Sequence, residues 1–185
     1  MELIKLGYEV SKPVTEINEI LADMLLLKKF IIEADKKRQC YAIHHAQVHP
    51  HPFNFFVVHP RYCLGDGRLF EHNVIINPTI IESVPYLRPT WEDYKRQFLK
   101  SGEDEKLLLP VWQNFPARLE SQLEWEGCMS FPFRKPKKVE RFVAVKVWYQ
   151  NEKLELITTT LEGPAAHVFQ HETDHGAGKN IYFSR

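Results

Sequence analysis

The chain has 185 residues, of which 44% are hydrophobic and 12 are phenylalanines. This length and composition favour one domain with a buried core and exclude a disordered chain. Lysine plus arginine and aspartate plus glutamate both total 24, so the formal net charge is zero. The chain has no excess of basic or acidic residues, so its charge gives no reason to expect binding to nucleic acid or to an anionic membrane.

Cysteine usage and hydropathy bear on the compartment. Cys40, Cys63 and Cys128 form no framework of pairs, which fits a reducing compartment. No apolar run approaches the roughly 20 residues of a membrane-spanning helix, and residues 1–8 do not resemble a signal peptide. We therefore expect that the protein has no membrane partner and that it lies in a reducing cellular compartment.

The first predicted element is a helix from Val14 to Lys37. Its apolar residues recur at spacings of three and four, which is typical of a helix, and basic residues collect at its end, as the helix dipole favours. Further apolar residues widen the stripe, so we expect contact with the core on more than one side. The stripe consists of Ile17, Ile20, Leu21, Met24, Leu25 and Ile31, widened by Leu26, Leu27, Phe30 and Ile32.

Four histidines follow this helix: His44, His45, His49 and His51. One interpretation is a second metal site, because imidazole is a common metal ligand. The other interpretation is that they lie in an extended segment and face solvent or pair with backbone groups. We favour the second interpretation.

Two segments rich in phenylalanine, valine and isoleucine predict strands, Phe53 to His59 and Asn73 to Asn77. The composition of Leu64-Gly65-Asp66-Gly67 between them predicts a turn. We expect the two strands to form an antiparallel hairpin.

The next predicted helix is short. Thr90 and Asp93 resemble a helix start and Gly102 a helix stop, so the pattern predicts a helix over Trp91 to Lys100.

Strands are predicted after this helix. Val139-Glu140-Arg141 and then Val145 to Tyr149 alternate with period two, as half-buried strands do. Residues 151–153 predict a turn, and Leu154 to Leu161 the returning strand.

The last element carries the chemistry. Gly163 ends one segment and Pro164 suits the first helical position, so we predict a helix that starts at Pro164. Positions 171–175 read His-Glu-Thr-Asp-His. Residues four apart share one helix face, so both imidazoles can bind one divalent metal with Glu172 beside it. The alternative is an exposed helix whose histidines have this spacing by chance. An apolar stripe argues against exposure and comprises Ala165, Val168 and Phe169.

A catalytic metal needs a third protein ligand and an open position. The ten residues that follow His175 contain no His, Glu, Asp or Cys, and the extended pattern HExxHxxGxxH fails at Ile181. His167 and His175 lie about 12 Å apart along a helix axis, so they converge poorly on one ion. We therefore expect the third ligand upstream, with Cys128 as the best candidate.

Two motifs together resemble the peptide deformylase family. Residues 126–130 read Glu-Gly-Cys-Met-Ser and residues 170–175 read Gln-His-Glu-Thr-Asp-His, against the family's EGCLS and QHExDH. The segment Ile75-Ile76-Asn77-Pro78 is close to the family's LINP, and a V-x-R followed by V-x-V continues the similarity. The resemblance covers most of Val14 to Phe183.

The resemblance implies an α+β fold with antiparallel β-sheets packed around a central HExDH helix. We expect one domain over residues 1–185, with an insertion at about 79–125 that is longer than a compact family member needs. The insertion either packs over the entrance to the site or covers surface far from it. Its apolar residues are Trp91, Tyr94, Phe98, Leu107 to Leu109, Trp112 and Phe115.

The resemblance also implies a reaction, namely removal of the formyl group from the N-terminal formylmethionine of new polypeptides. The metal would be one divalent ion, Fe(II) or Zn(II), with Ni or Co as further possibilities, bound by Cys128, His171 and His175. Glu172 would accept and return the proton. The Gln47 amide and the backbone N–H of Met129 would stabilise the oxyanion.

One family motif is eroded. The pattern GxGxAAxQ ends at Gln47, which puts Cys40 and Ala42 in the glycine positions and His44 and His45 in the alanine positions. Cys40 and Ala42 would narrow the place where substrate backbone lies. Arg134 is a further candidate for contact with substrate carbonyls.

Two alternative functions stay open at this point. The eroded motif suggests a deformylase-like metal-binding protein without deformylase activity, acting as a binding or regulatory module. A zincin-like endoprotease is the other. Under the deformylase interpretation, the expected partners are formylated nascent peptide N-termini near the ribosome, and the protein is expected to be a monomer that binds no nucleic acid directly. The location would be the bacterial cytoplasm or an organelle interior, either a mitochondrial matrix or a plastid.

Overall fold

The computed structural model describes residues 9–36, 40–63, 70–87, 90–101, 106, 109–110 and 118–183. These residues form an α+β fold, as predicted. The helices are α1 (Leu21–Asp35), α2 (Trp91–Ser101) and α3 (Gly163–Gly176). The strands are β1 (Ala42–His44), β2 (Phe55–Val58), β3 (Val74–Ser83), β4 (Tyr86–Leu87), β5 (Arg118–Leu119), β6 (Ser121–Glu126), β7 (Lys137–Phe142), β8 (Ala144–Gln150) and β9 (Leu156–Glu162).

Five strands form the main sheet, in the order β1-β2-β3-β8-β9, and every neighbouring pair is antiparallel. Two smaller sheets pair β4 with β5 and β6 with β7. Short 3-10 turns lie at Ile17–Glu19, His45–Gln47 and Pro60–Tyr62. No helix of the described ranges is long and apolar enough to cross a membrane.

The main sheet is covered on both faces. Along β2, Phe56 and Val58 point into a core shared with α3, whereas Phe55 and Val57 point into a core shared with α1. Successive side chains of a strand face opposite sides, so a strand covered on both faces is apolar at every position. This explains the unbroken apolar run that the sequence shows at β2.

The first helix is shorter than predicted. The side chain of Glu19 accepts hydrogen bonds from the backbone N–H groups of Thr15 and Glu16, which holds a 3-10 turn before α1. The prediction of contact on more than one side is wrong. Only one stripe is buried, and Leu21, Leu25, Leu26 and Ile32 are exposed. The buried stripe is Met24, Leu27 and Ile31.

The predicted hairpin is confirmed as β2 and β3, with Phe56 opposite Ile75. Its predicted turn at 64–67 lies outside the described residues. The second strand continues past Asn77, its predicted end, because Asn77 adopts φ 51° and the register shifts between Ile76 and Thr79. Such a bulge accommodates Pro78, which has no N–H to donate to a neighbouring strand.

The later elements follow the predictions closely. The helix α2 begins after Thr90, whose Oγ1 accepts from the backbone N–H of Asp93 at 3.2 Å. The predicted strand pair is β8 and β9, although β9 begins two residues late because Leu154 has a positive φ of 60°. Positions 102, 107, 108, 112 and 115 lie outside the described residues. The single domain and its insertion at about 79–125 stay predictions.

Candidate metal centre

Helix α3 begins where the chain leaves the sheet. Gly163 adopts φ 53°, a left-handed conformation that glycine tolerates, and its N–H donates to the Val143 carbonyl at 2.9 Å. The helix begins at Gly163, one residue earlier than predicted, so Pro164 is its second residue and not its first. Ala165 and Phe169 are buried in the core. The packing of this face fixes the direction in which the opposite side chains project.

Three metal-ligating side chains converge on the other face of α3. Sγ of Cys128 lies 3.5 Å from Nε2 of His175, which lies 3.1 Å from Nε2 of His171. All three donor atoms lie within 4.8 Å of one another. Among the residues that the structure describes, this is the one such group of three or more histidine, cysteine or acidic side chains.

Two of the three separations suit one tetrahedral ion. Zn–S bonds of about 2.3 Å and Zn–N bonds of about 2.0–2.1 Å place neighbouring ligand atoms of a tetrahedron about 3.3–3.6 Å apart. The Cys128–His175 and His175–His171 separations are close to these values. These three residues would hold the ion and would leave a fourth position for water or substrate, as in catalytic sites.

Both imidazoles are oriented by their second nitrogen. Nδ1 of His171 lies 2.8 Å from a carboxylate oxygen of Glu126, and Nδ1 of His175 lies 3.1 Å from the Lys179 carbonyl. Since these oxygens only accept, each Nδ1 carries the proton and each Nε2 presents its lone pair to the cluster.

Glu126 connects His171 to two further residues through its carboxylate. It accepts from Nε and Nη2 of Arg141, at 2.6 and 3.1 Å, and from Nε2 of His167 at 2.7 Å. Burial alone would raise the pKa of Glu126, but the bonds from His167, His171 and Arg141 outweigh it and hold the pKa well below its usual range. Arg141 also donates to Asp174 at 2.6 Å.

The roles of Glu126 and Arg141 in this network were not predicted from the sequence. Glu126 and Arg141 were visible only as parts of the EGCMS and V-x-R segments, and their pairing across β6 and β7 was not predicted. His167 was expected to be a poor third ligand. It lies outside the three-ligand group and binds Glu126.

Glu172 is buried beside the cluster and is 4% exposed. Its Oε2 has no hydrogen-bond partner among the described groups. Burial raises the pKa of this carboxyl to about 7, although nearby His171 opposes the shift. A buried oxygen without a protein partner beside these side chains could accept a proton from a water held there.

Gln47 also reaches the cluster. Its Oε1 accepts from the backbone N–H of His44 at 2.8 Å, which aims the amide nitrogen at Ser130 and Cys128. That nitrogen lies 3.2 Å from Oγ of Ser130 and 3.7 Å from Sγ of Cys128. Met129, the other predicted oxyanion contact, is half-buried and lines the adjacent pocket.

A pocket of about 600 Å³ opens beside the cluster. Cys40, Ala42 and Arg134, the predicted substrate contacts, all line it together with His171 and Glu172. The guanidinium of Arg134 stacks on three aromatic rings at 4.7–5.5 Å. These rings are Phe131, Tyr182 and Phe183.

We predicted that the histidines of the eroded motif face solvent or pair with backbone groups, and the second alternative is confirmed for His44 and His45, which are 0% and 1% exposed. Both do pair with backbone groups. Nδ1 of His44 accepts from the Ala46 N–H, and Nδ1 of His45 from the Phe53 N–H, each at 3.0 Å. The described residues contain no second metal-ligand group, so the second-site interpretation gains no support.

An antiparallel α+β fold in which Cys128 meets the two histidines of an HExxH helix defines a class of domain that can hold a metal ion. Within that class, a sequence model described as polypeptide deformylase matches residues 5–184. The chain belongs to this family.

Individual relatives with similar sequences are also peptide deformylases. The chain is 50% identical over 56 residues to the peptide deformylase of Thermotoga petrophila, which is 30% of this chain and 34% of that protein. It is 55% identical over 53 residues to that of Aquifex aeolicus, covering 29% and 31%. The matched segment thus spans about a third of the length of these curated relatives.

Solved structures match over nearly the whole chain. The crystal structure of peptide deformylase from Thermotoga maritima is 26% identical with a TM-score of 0.62, covering 98% of this chain and 96% of that one. A Plasmodium falciparum peptide deformylase is 21% identical with a TM-score of 0.63, covering 97% and 83%. The second likeness supports the fold alone.

Proposed function

We propose that this chain is a metal-dependent hydrolase that removes the N-formyl group from formylated peptide N-termini, with formylmethionine of newly made polypeptides as the expected first residue. Cys128, His171 and His175 would hold one divalent ion, Fe(II) or Zn(II), with Ni or Co as substitutes. The donor set of one thiolate and two imidazoles suits a borderline or soft ion.

The ion would polarise the formyl carbonyl and lower the pKa of water at the site toward about 7. Glu172 then accepts a proton from the attacking water at its unpartnered oxygen and returns it to the departing amine. Glu126 and the Lys179 carbonyl keep the two imidazoles in the ligating tautomer. The chain's own contribution is therefore orientation and proton transfer.

Gln47 and the backbone N–H of Met129 would donate to the oxygen that becomes negative during attack. Removing one such donor typically slows an enzyme by about 10² to 10³. Cys40 and Ala42 lie where substrate backbone would pass, and Arg134 would meet substrate carbonyls. All three line the pocket that leads to the cluster.

One observation carries the proposal, namely the buried Glu172 with an orphaned oxygen beside three ligand atoms within 4.8 Å of one another. A purely structural metal site has no need of such a group. Membership of the deformylase family supports the choice of substrate.

The test is formate release from formyl-Met-Ala-Ser by protein loaded anaerobically with Fe(II), with bound metal measured on the same sample. We expect turnover well above free metal and one ion per chain. Cys128→Ala should lose the ion, whereas Cys63→Ala, which removes a buried thiol remote from the cluster, should keep it. Absence of formate from fully loaded protein would refute the proposed activity.

A second candidate function rests on the eroded motif. Cys40 and Ala42 replace the glycines of the family pattern and line the pocket, so they narrow it where substrate backbone would lie. A protein that binds metal and formyl peptide without releasing formate would be a binding or regulatory module. The same assay separates the two functions, because metal loading and turnover are measured together.

The proposed partners are formylated nascent peptides, encountered close to the ribosome. We propose that the protein acts as a monomer in the bacterial cytoplasm or in an organelle interior. Sedimentation of the metal-loaded protein tests the monomer.

A further inference from the structure

The hairpin of β6 and β7 presents one of its faces to solvent. Strand alternation places Leu123 and Trp125 on the face of β6 opposite to Glu126. The strand pairing puts Lys138 across from Trp125 and Glu140 across from Leu123 on that same face. Leu123 and Trp125 are 64% and 67% exposed. This face of the hairpin is therefore open to a partner.

The loop between the two strands continues this face with positive charge. Residues 131–138 read Phe-Pro-Phe-Arg-Lys-Pro-Lys-Lys, so the segment contains four basic residues and no acidic one. Every residue from 133 to 138 is exposed, and Phe133 is 91% exposed. The chain as a whole has a formal net charge of zero. Its charge is thus unevenly distributed, with basic residues concentrated at this loop.

The lysines of the loop end have no acidic partner among the residues that the structure describes. The strand pairing puts Lys137 across from Glu126, but that carboxylate is buried and already bound to Arg141 at 2.6 Å. Glu140 follows Lys138 by two residues, on the side away from the loop. The positive charge at the loop end is therefore uncompensated.

Two exposed aromatic rings lie among these charges. The ammonium group of Lys138 lies 5.3 Å from the centroid of the Trp125 ring, a cation–π contact that favours one position of the ring. Trp125 is still 67% exposed, and Phe133 offers a second exposed ring. Unpaired bases stack on aromatic rings of this kind while lysines bind the backbone phosphates.

We propose that this hairpin surface, made of Trp125, Phe133, Lys135, Lys137 and Lys138, binds single-stranded RNA. The bases stack on the two rings, and the phosphates bind the three lysines. RNA is the single strand whose loops and ends present unstacked bases to proteins. Trp125 also lines the pocket beside the metal ligands, so the surface adjoins that pocket. The inference goes beyond the proposed hydrolase activity and does not depend on it.

Other partners fit this surface less well. A second copy of the chain would bring like charges together, which is unfavourable. Insertion into an anionic bilayer would take Glu140 out of water together with Leu123 and Trp125, because the three share one face, and removing a carboxylate from water is costly. An RNA strand that follows the loop leaves Glu140 hydrated.

The test measures the anisotropy of a short fluorescent oligouridine titrated with the metal-loaded chain at several salt concentrations. An abasic strand with the same number of phosphates is titrated in parallel. Three lysine–phosphate contacts predict a slope of about −2 for log K against log salt. Stacking on two rings predicts that the abasic strand binds at least about tenfold more weakly.

Two variants separate stacking from charge. Trp125→Ala should weaken oligouridine binding by at least about fivefold and leave the salt slope unchanged, because it removes a ring and no charge. The double substitution Lys135→Gln and Lys137→Gln should reduce the slope to about −1. Leu156→Ala is the matched control for the ring, since Leu156 is 66% exposed on β9. Lys36→Gln on an exposed lysine after α1 is the control for charge.

The comparison of the two strands uses the wild type alone, so it holds even where a variant fails to fold. Equal binding of the abasic strand would show attraction of polyanions only and would overturn the proposal. Tighter binding of polyglutamate or of phosphatidylserine vesicles than of oligouridine would assign the surface to an acidic protein or to a membrane instead. Unchanged affinity in folded Trp125→Ala would also overturn it.

Discussion

Glu172 and Glu126 show how two carboxylates near one metal centre take different roles from their surroundings. Glu126 receives donors from Arg141, His167 and His171 and stays ionised. Glu172 lies in the same buried region with one oxygen unpartnered, so burial works against its charge. Under the proposed function, Glu126 would orient the histidine ligands and Glu172 would exchange a proton.

At the residue scale, Glu172→Gln should separate metal binding from chemistry. The amide keeps the size of the side chain but cannot accept the proton, so we expect an unchanged metal content and a fall in kcat of about 10² to 10⁴. Metal analysis and formate release on the same preparation check this. Turnover at the wild-type rate would exclude Glu172 as the base.

At the element scale, the contact between the end of α3 and the eroded motif is unusually close. A Cβ added to Gly176 would lie 2.6 Å from Oδ1 of Asn54 and 3.0 Å from Nε2 of His44. The His44 ring is fully buried and contacts the same Asn54 oxygen at 3.3 Å, so a Cβ at position 176 would have to displace both side chains. The large side chain of His44 is accommodated because position 176 has none.

We therefore predict that Gly176→Ala destabilises the protein. Overpacking costs about 1–3 kcal/mol, which exceeds the gain of up to about 1 kcal/mol from alanine in a helix. Urea unfolding of the metal-loaded protein measures the difference. Gly127→Ala is the control, because a Cβ there meets nothing within 4 Å.

The effects of substitutions at Gly176 and His44 should be energetically coupled. In a His44→Ala background the ring is gone and Asn54 can rotate, so Gly176→Ala should cost less than in the wild type by at least about 0.5 kcal/mol. Strictly additive effects of the two substitutions would show that the proposed steric contact does not govern this junction.

At the scale of the whole molecule, two helices cover the two faces of one sheet, and buried histidines lie between these layers. His45 packs on Phe55 of β2 and faces Asp23 of α1 at 3.4 Å. Burial lowers the pKa of His45 to about 4, with His49 adding to the shift and Asp23 opposing it. The folded chain therefore keeps this ring neutral in mildly acidic solution.

This ring makes global stability depend on pH. The unfolded chain takes up a proton near the ordinary histidine pKa of about 6.5, whereas folded His45 takes it up only near pH 4. The contribution of His45 to the free energy of unfolding is complete above about pH 6.5 and falls as the pH drops from about 6.5 to about 4. Below about pH 4 it does not change further. The loss over this window should reach about 3 kcal/mol.

Unfolding free energies at several pH values, compared for the wild type and His45→Gln, check the effect. The variant should lose less stability over this window, while the exposed His51→Gln should follow the wild type. Identical pH profiles for wild type and His45→Gln would show that His45 is not the group responsible.

The sequence alone determined the features that depend on local spacing. The HExxH residues share a helix face because four residues nearly complete a turn, and the alternation at β8 follows from a half-buried strand. Patterns at Thr90 and Gly163 located helix starts to within a residue. The EGCMS and QHETDH segments were sufficient for the family, since each combines rare residue types at fixed spacing.

Tertiary structure alone decided which distant groups meet. Cys128 approaches His175 across 47 positions of sequence, and Glu126 joins Arg141 and His167 from three different elements. The burial of His44 depends on a missing side chain at Gly176, far along the chain. Local periodicity reports the face that a residue occupies, but the partner on the other side is set by how sheets and helices pack, and that requires all contacts at once.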